Sequence, residues 1–385
     1  MSGFQHLSVD GFRRLCGVEI DLTERPLCVV IGANGCGKTS LLDVFSLLAA
    51  SAQGKLREKI NELTGLSSIL SQGKAERLSI SISTVNGEHG DRFHYDLALS
   101  PTANWYTVES ESLTTVTVAG DRSFPYLDSA TGETRYYDLE SGTLTKPTWG
   151  LDRSETSLSQ VPKQLVLPEE FRRHLANSVY YHTLDVGPRA PVRLPQPIRP
   201  ASLPGPNGED LVTCLYQMRE TDFDRFDTIQ DALRAAFPGF EQLKFPAAAA
   251  GSLAMLWRDT NFPTGFYTYQ LAEGAIRFLW LATLLQSSEL PAVTLLDGPE
   301  VSLHPELLNL LAHLLREASQ RSQIVVATHS DRLVRFLKPN EVLVADLAED
   351  GLTTLTWADS LDLEKWLDEY TLDEVWAIGR LGGRA

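Results

Sequence analysis

The chain has 385 residues, 43% of them apolar, and its 34 Lys and Arg stand against 50 Asp and Glu for a net charge of −16. That length and apolar share imply a folded, globular chain with a sizeable core, arranged as two domains or as one large domain with a subdomain. The acidic balance argues against a surface that coats nucleic acid, so any DNA contact is expected at a local basic patch.

Phe4 to Val9, Val18 to Leu22 and Leu27 to Ile31 read as three short strands. The third runs into Gly32-Ala33-Asn34-Gly35-Cys36-Gly37-Lys38-Thr39-Ser40, which fits the phosphate-binding loop G-x-x-x-x-G-K-[ST]. Leu41, Leu42, Phe45 and Leu48 follow at helical spacing, so a strand, a loop and a helix reaching about Ala52 stand in the order the motif needs. In such a loop the backbone N–H groups from Asn34 to Ser40 point at phosphate oxygens, and the helix beginning near Lys38 presents its positive dipole end. Lys38 is expected to reach the β- and γ-phosphates of a nucleoside triphosphate, and Thr39 to ligate Mg²⁺.

Leu78 to Leu144 alternates Ser, Thr, Val, Ile and Tyr, broken at Asn86-Gly87, Ala119-Gly120 and Ser141-Gly142, the pattern of an antiparallel meander. Gly187 to Gly208 is rich in proline, with Arg189, Arg193 and Arg199 among them, and reads as a stiff, extended connector that links subdomains. A helix is expected from Leu211 to about Ala236. Then come a helix from Gly274 to about Gln286, a buried strand Val293 to Asp297, a helix from Pro305 to about Ala318, and a buried strand Gln323 to Thr328. Such alternation means parallel α/β structure. Glu341 to Ala348 and Leu352 to Trp357 supply two closing strands. The resulting division is a nucleotide-binding lobe over 1–150, a mainly helical insertion over 151–262, a second lobe of the nucleotide domain over 263–360, and an acidic helix and tail over 361–385. The acids of that tail read as a solvated helix face, although Trp366 and Trp376 among them offer an anchor for a partner.

Cys16, Cys28, Cys36 and Cys214 form no C-x-x-C pair and suit a reducing cytosol. His89 and His94 lack partners at metal-ligand spacing. No apolar signal core opens the chain and no apolar stretch reaches about 18 residues, so a cytoplasmic location without a membrane span is expected.

The strand Val293-Thr294-Leu295-Leu296-Asp297 has the form of a Walker B strand, and Asp297 is the candidate Mg²⁺ carboxylate opposite Thr39. Leu271-Ala272-Glu273-Gly274 precedes a helix, and Ala327-Thr328-His329-Ser330 closes the next strand. This order resembles ABC-type ATPases of the soluble kind related to RecF and chromosome-maintenance proteins, and within them a bacterial group of RecF-like, AAA-type ATPases. Gly11-Phe12-Arg13-Arg14-Leu15, Leu303-His304-Pro305-Glu306 and Tyr370-Thr371-Leu372-Asp373-Glu374-Val375-Trp376, with Gly379 and Leu381-Gly382-Gly383-Arg384, are similar to that group, and the resemblance covers nearly the whole chain. It implies a P-loop α/β fold of ABC-ATPase type: a mixed central sheet, an antiparallel β subdomain and a helical insertion.

The resemblance also implies a composite site, in which two subunits sandwich ATP and each signature segment, here Ala272 to Gly274, caps the γ-phosphate held by the other subunit. Gln72, in Ile69-Leu70-Ser71-Gln72-Gly73-Lys74-Ala75, would be the glutamine that touches the metal, and His329 the switch histidine near the γ-phosphate. Ser302, Leu303 and His304 take the place of the loop that crosses the dimer interface.

Two positions depart from that pattern. The glutamate that usually follows the metal carboxylate is Gly298, and the signature serine is Ala272. Loss of a positioned general base lowers a rate by about 10² to 10⁴, so hydrolysis is expected to be slow or absent unless Glu300 or Glu273 substitutes. The expected function is an ATP-gated dimeric switch acting on a partner protein or nucleic acid, as in DNA repair or phage defence, often beside a separate nuclease. The alternative is a nucleotide-dependent scaffold without useful hydrolysis that regulates such a nuclease. A built-in nuclease, as in overcoming-lysogenization-defect proteins, is not expected, because the segment after His329 is taken up by strands that finish the core. The long insertion and RecF-like opening also set the chain apart from a transporter's nucleotide domain.

Overall fold

The computed structural model describes residues 3–85, 90–103, 105–116, 123–130, 132–363, 366 and 370–382. The turns expected at Asn86-Gly87 and Ala119-Gly120, the side chain of His89, the tail acids Glu364, Asp368 and Glu369, and Gly383-Arg384 lie outside the described residues. The chain forms two compact units, Met1–Val179 with Pro339–Leu363 and Gly379–Ala385, and Tyr180–Lys338 with Glu364–Ile378.

The first unit opens with β1 (Phe4–Asp10), β2 (Val18–Asp21), β3 (Leu27–Gly32) and α1 (Lys38–Gln53). Every residue of β3 is buried, as suits a run of Val and Ile without polar alternation. It lies parallel to the strand Val342–Leu347, with Gly32 opposite Ala345, and that strand is antiparallel to Thr353–Trp357.

The meander follows as β4 (Leu78–Val85), β5 (Arg92–Pro101), β6 (Tyr106–Val116), β7 (Ser123–Ala130), β8 (Glu133–Asp138) and β9 (Thr143–Thr145). With β1 and β2 these strands make an eight-stranded sheet in the order β2-β1-β4-β5-β6-β7-β8-β9, each neighbouring pair antiparallel. Period-2 alternation sends Leu78, Ile80 and Ile82 of β4 and Phe93, Tyr95 and Leu97 of β5 inward. The helix Val166–Ala176 meets them, with the Phe171 ring 5.6 Å from Phe93 and 5.8 Å from Tyr95.

In the second unit the expected helix over Leu211 to Ala236 is two helices, Leu211–Thr221 and Phe223–Ala236. Asp222 separates them, because its carboxylate accepts the Arg225 N–H and starts the second helix afresh. The proline-rich connector is not a free spacer. Val192, Arg193 and Gln196 are buried, and Gln196–Pro197 is the first strand of a small sheet with Ser252–Leu253 and Ala247–Ala248. A second small sheet joins Phe240–Lys244, Leu256–Asp259 and Phe266–Tyr267.

The helix Glu273–Gln286 is apolar nearly all round and buried from Ala275 onward except at Arg277. The strand Val293–Asp297 pairs in parallel with Gln323–Ala327, placing Asp297 opposite Ala327, and the helix Leu307–Ser319 connects them. This is a βαβ unit. Its helix starts at Leu307, while Pro305 stands in the preceding turn and accepts the Leu308 N–H. Near the end of the chain, Thr371 and Glu374 cap Leu372–Ala377 reciprocally, and Leu372, Val375 and Trp376 of this helix are buried. Trp376 therefore faces the interior instead of offering an anchor. Among the described residues no helix is long and apolar enough to cross a membrane.

Candidate functional site

The phosphate loop leaves the C-terminal end of β3 and enters α1 at Lys38. Lys38 is only 4% exposed, and its ammonium donates to the Gly32 and Ala33 carbonyls, each at 2.7 Å. The loop is braced from behind, where Thr353 Oγ1 donates to the Cys36 carbonyl at 2.8 Å. Asn34, Gly35 and Thr39 are exposed, Cys36 and Ser40 are buried, and Gly35 and Gly37 have positive φ. Backbone N–H groups, one ammonium and the Thr39 hydroxyl are the donor set that a triphosphate and a hard divalent cation take.

The RecF-like opening packs on this same element. Arg13 Nη1 reaches Asp43 Oδ2 at 2.6 Å and Ser40 Oγ at 3.3 Å on the first turns of α1. Ser71 Oγ donates to the Arg13 carbonyl at 2.6 Å, which fixes the segment before Gln72. The Gln72 side chain itself is exposed in the first unit.

Asp297, Glu300 and His329 belong to the second unit and gather at the C-terminal ends of its paired parallel strands, the edge at which open α/β sheets take ligands. Tyr180 donates to Asp297 Oδ2 at 3.0 Å, and Thr183 Oγ1 to the Asp297 carbonyl at 3.2 Å. The His329 N–H donates to Glu300 Oε1 at 3.2 Å, while Glu300 Oε2 is buried with no hydrogen-bond partner. A buried carboxylate oxygen without a donor requires a water or a cation, so the residues present fit a metal-bound phosphate site.

Gly298 is held at φ +60°, and a Cβ there would stand 3.2 Å from Val301 Cγ2. A glutamate at this position would have to adopt left-handed backbone that side chains rarely take. Ala272 is the N-cap of the helix Glu273–Gln286 and supplies no side-chain cap. Ala272 and Glu273 are exposed, and Gly274 is half-buried against Ser302, whose carbonyl would lie 2.7 Å from an added Cβ. Ser302 has φ +63°, so the strained turn and the helix start fit each other closely.

Several residues at the site escape sequence reasoning. Arg193 is buried and donates to the carbonyls of Val186, Thr268, Tyr269 and Leu271, clamping the segment that leads into Ala272. Tyr180 and Thr183 touch Asp297 from more than a hundred positions away, and nothing local marks them. Arg277 also escapes it; its signal is that it is the one cation in an apolar helix. Elsewhere, burial pushes the Cys28 and Cys214 thiols up to about 12, and His94, paired with Asp96, is raised by that carboxylate.

A phosphate loop, a carboxylate strand and a signature-like helix start on mixed α/β units define an SMC/RecF-like AAA-type ATPase. Residues 27–335 match the family described as "AAA domain, putative AbiEii toxin, Type IV TA system", and the chain belongs to it. The fold is similar to an SMC head bound to the C-terminal winged-helix domain of ScpA, with a TM-score of 0.52, 16% identity, and 95% of this chain and 99% of that one covered. It is also similar to the SMC head with an extended coiled coil bound to the C-terminal domain of ScpA from Pyrococcus furiosus, with a TM-score of 0.52, 14% identity, and 96% and 98% covered. No curated protein matches the chain in sequence.

Proposed function

We propose that this chain is an ATP-gated switch: two copies close on ATP and Mg²⁺, and the closed dimer controls a separate effector. The observation that carries the reading is the start of the helix Glu273–Gln286, exposed at Ala272 and Glu273 and braced by Ser302. Such a helix end attracts an anion from outside its own unit. In this reading the loop N–H groups and Lys38 hold the β- and γ-phosphates, and Thr39, Asp297 and Gln72 are the residues assigned to the cation. Mg²⁺ would supply neutralisation of phosphate charge. Glu300 stands in for the base that Gly298 cannot provide, its Oε2 accepting from a water, and its link to the His329 backbone sets the place of the switch histidine.

Hydrolysis is then slow and the closed state long-lived, which suits a clamp or scaffold better than a motor. The toxin–antitoxin description of the family and the ScpA-bound SMC heads favour a protein effector, a nuclease or an antitoxin-like counterpart, over direct DNA binding. A DNA-repair or antiviral role in the cytoplasm is the setting this reading suggests.

Molecular mass measured by light scattering, with and without ATP and Mg²⁺, tests it. The intact chain should double in mass with ATP, Lys38→Ala should stay monomeric, and Glu300→Gln should dimerise yet lose the residual turnover. A monomer at saturating ATP, or equal turnover in Glu300→Gln, would overturn the reading. Gly298→Glu is a poor reporter, because strain at φ +60° would mask any gain.

A further inference from the structure

A cavity lies in the second unit beneath the turn that follows the carboxylate strand, with Thr183, Arg277, Trp280, Asp297, Gly298 and Val301 on its walls. Its volume of about 10 Å³ admits one water-sized sphere. Arg277 Nε and Nη1 are both buried there without a hydrogen-bond partner. Arg277 as a whole is half-buried, and a guanidinium does not shed its proton in a protein, so these two donors, on a group that stays charged, need an acceptor.

Gly298 shows what is missing. A Cβ added to it would meet Val301 Cγ2 at 3.2 Å and Thr183 Oγ1 at 3.4 Å, so a side chain at this position would enter the same cavity. Asp297 is the one acid in the lining among the described residues, and its Oδ2 already accepts from Tyr180. A water could accept from Arg277 but carries no charge to balance the guanidinium. An anion of water size satisfies both. We infer that this cavity is a binding site for a small monovalent anion, a halide, held by Arg277 in the space beside Gly298.

The site does not depend on nucleotide, so its test uses no ATP and its failure leaves the ATPase reading untouched. Crystals of the full chain soaked in sodium bromide should show an anomalous peak at the Arg277 guanidinium. In solution at constant ionic strength, the melting temperature should rise saturably with chloride or bromide relative to gluconate, which is too large to enter. Arg277→Gln should lose that shift. Because removing Arg277 can itself disturb the fold, Gly298→Asp provides an independent arm: Asp tolerates left-handed backbone better than most residues, and its carboxylate would replace the ion. This variant should melt in gluconate at least as high as the parent does in chloride, with no halide dependence. Water alone at Arg277 in the bromide crystal, equal melting of the parent in halide and gluconate, or the same halide shift in all three proteins would overturn the inference.

Discussion

Glu111 on β6 is 1% exposed and accepts from Tyr95 Oη at 2.9 Å, Ser157 N at 2.6 Å and Leu158 N at 2.7 Å. It ties the loop before the short turn Leu158–Gln160 to the sheet. Glu111→Ala would strand three buried donors at about 1–3 kcal/mol each, so unfolding in urea should show a loss on the order of 3–5 kcal/mol. Glu169 is a contrasting acid. Hydrogen bonds from Arg172, then Arg173, hold its carboxyl at about 2, well below the ordinary range, and Arg172 also reaches the Ala52 carbonyl at the end of α1. A depressed folded value means stability present above the ordinary pKa and lost as pH falls. Melting temperature should therefore drop between the ordinary value of 4.5 and about 2, and Glu169→Gln should flatten that drop. Glu111 works in the opposite sense: burial raises its carboxyl, so its contribution is full below the ordinary pKa and is lost as pH rises through the raised value. Neither acid announces itself in the sequence, because each is defined by donors that only folding brings near.

At the scale of the element, the start of the helix Glu273–Gln286 separates fold from function. Gly274→Ala gains helix propensity of about 1 kcal/mol but places a Cβ 2.7 Å from the Ser302 carbonyl. Backbone gives way less readily than a side chain, so a net loss of roughly 1–3 kcal/mol is expected in thermal unfolding. Ala272 caps the same helix without a side-chain acceptor, and both Ala272→Ser and Ala272→Asp should stabilise it by about 0.5–1 kcal/mol. Their effects on ATP-linked mass should diverge, the serine favouring the dimer and the aspartate, a like charge beside phosphate, suppressing it. Strand Val293–Asp297 was legible with its bounds intact, and β3 nearly so, because unbroken apolar runs between turn signals leave little choice. The break at Asp222 was not, since helical periodicity continues through it and only the cap geometry interrupts the backbone.

At the scale of the whole molecule, the proposed composite site makes a prediction that no single-chain site shares. Lys38→Ala spoils the loop of every copy, and Ala272→Asp spoils the helix start of every copy, so each variant alone should fail to dimerise with ATP. A mixture should recover partly, because a mixed pair contains one intact loop facing one intact helix start. Light scattering of the mixture checks this, and absence of recovery would mean that both elements serve one chain. The sequence by itself determined that there is a phosphate loop, a carboxylate strand, an antiparallel meander and a family likeness, since each rests on residues close together along the chain. Only the tertiary structure decided that Gly298 sits in left-handed backbone above a cavity, that Arg277 Nε and Nη1 are buried there without a partner, and that Arg193 clamps the approach to Ala272. Burial and hydrogen-bond satisfaction depend on groups brought together from distant positions, and local pattern carries no record of them.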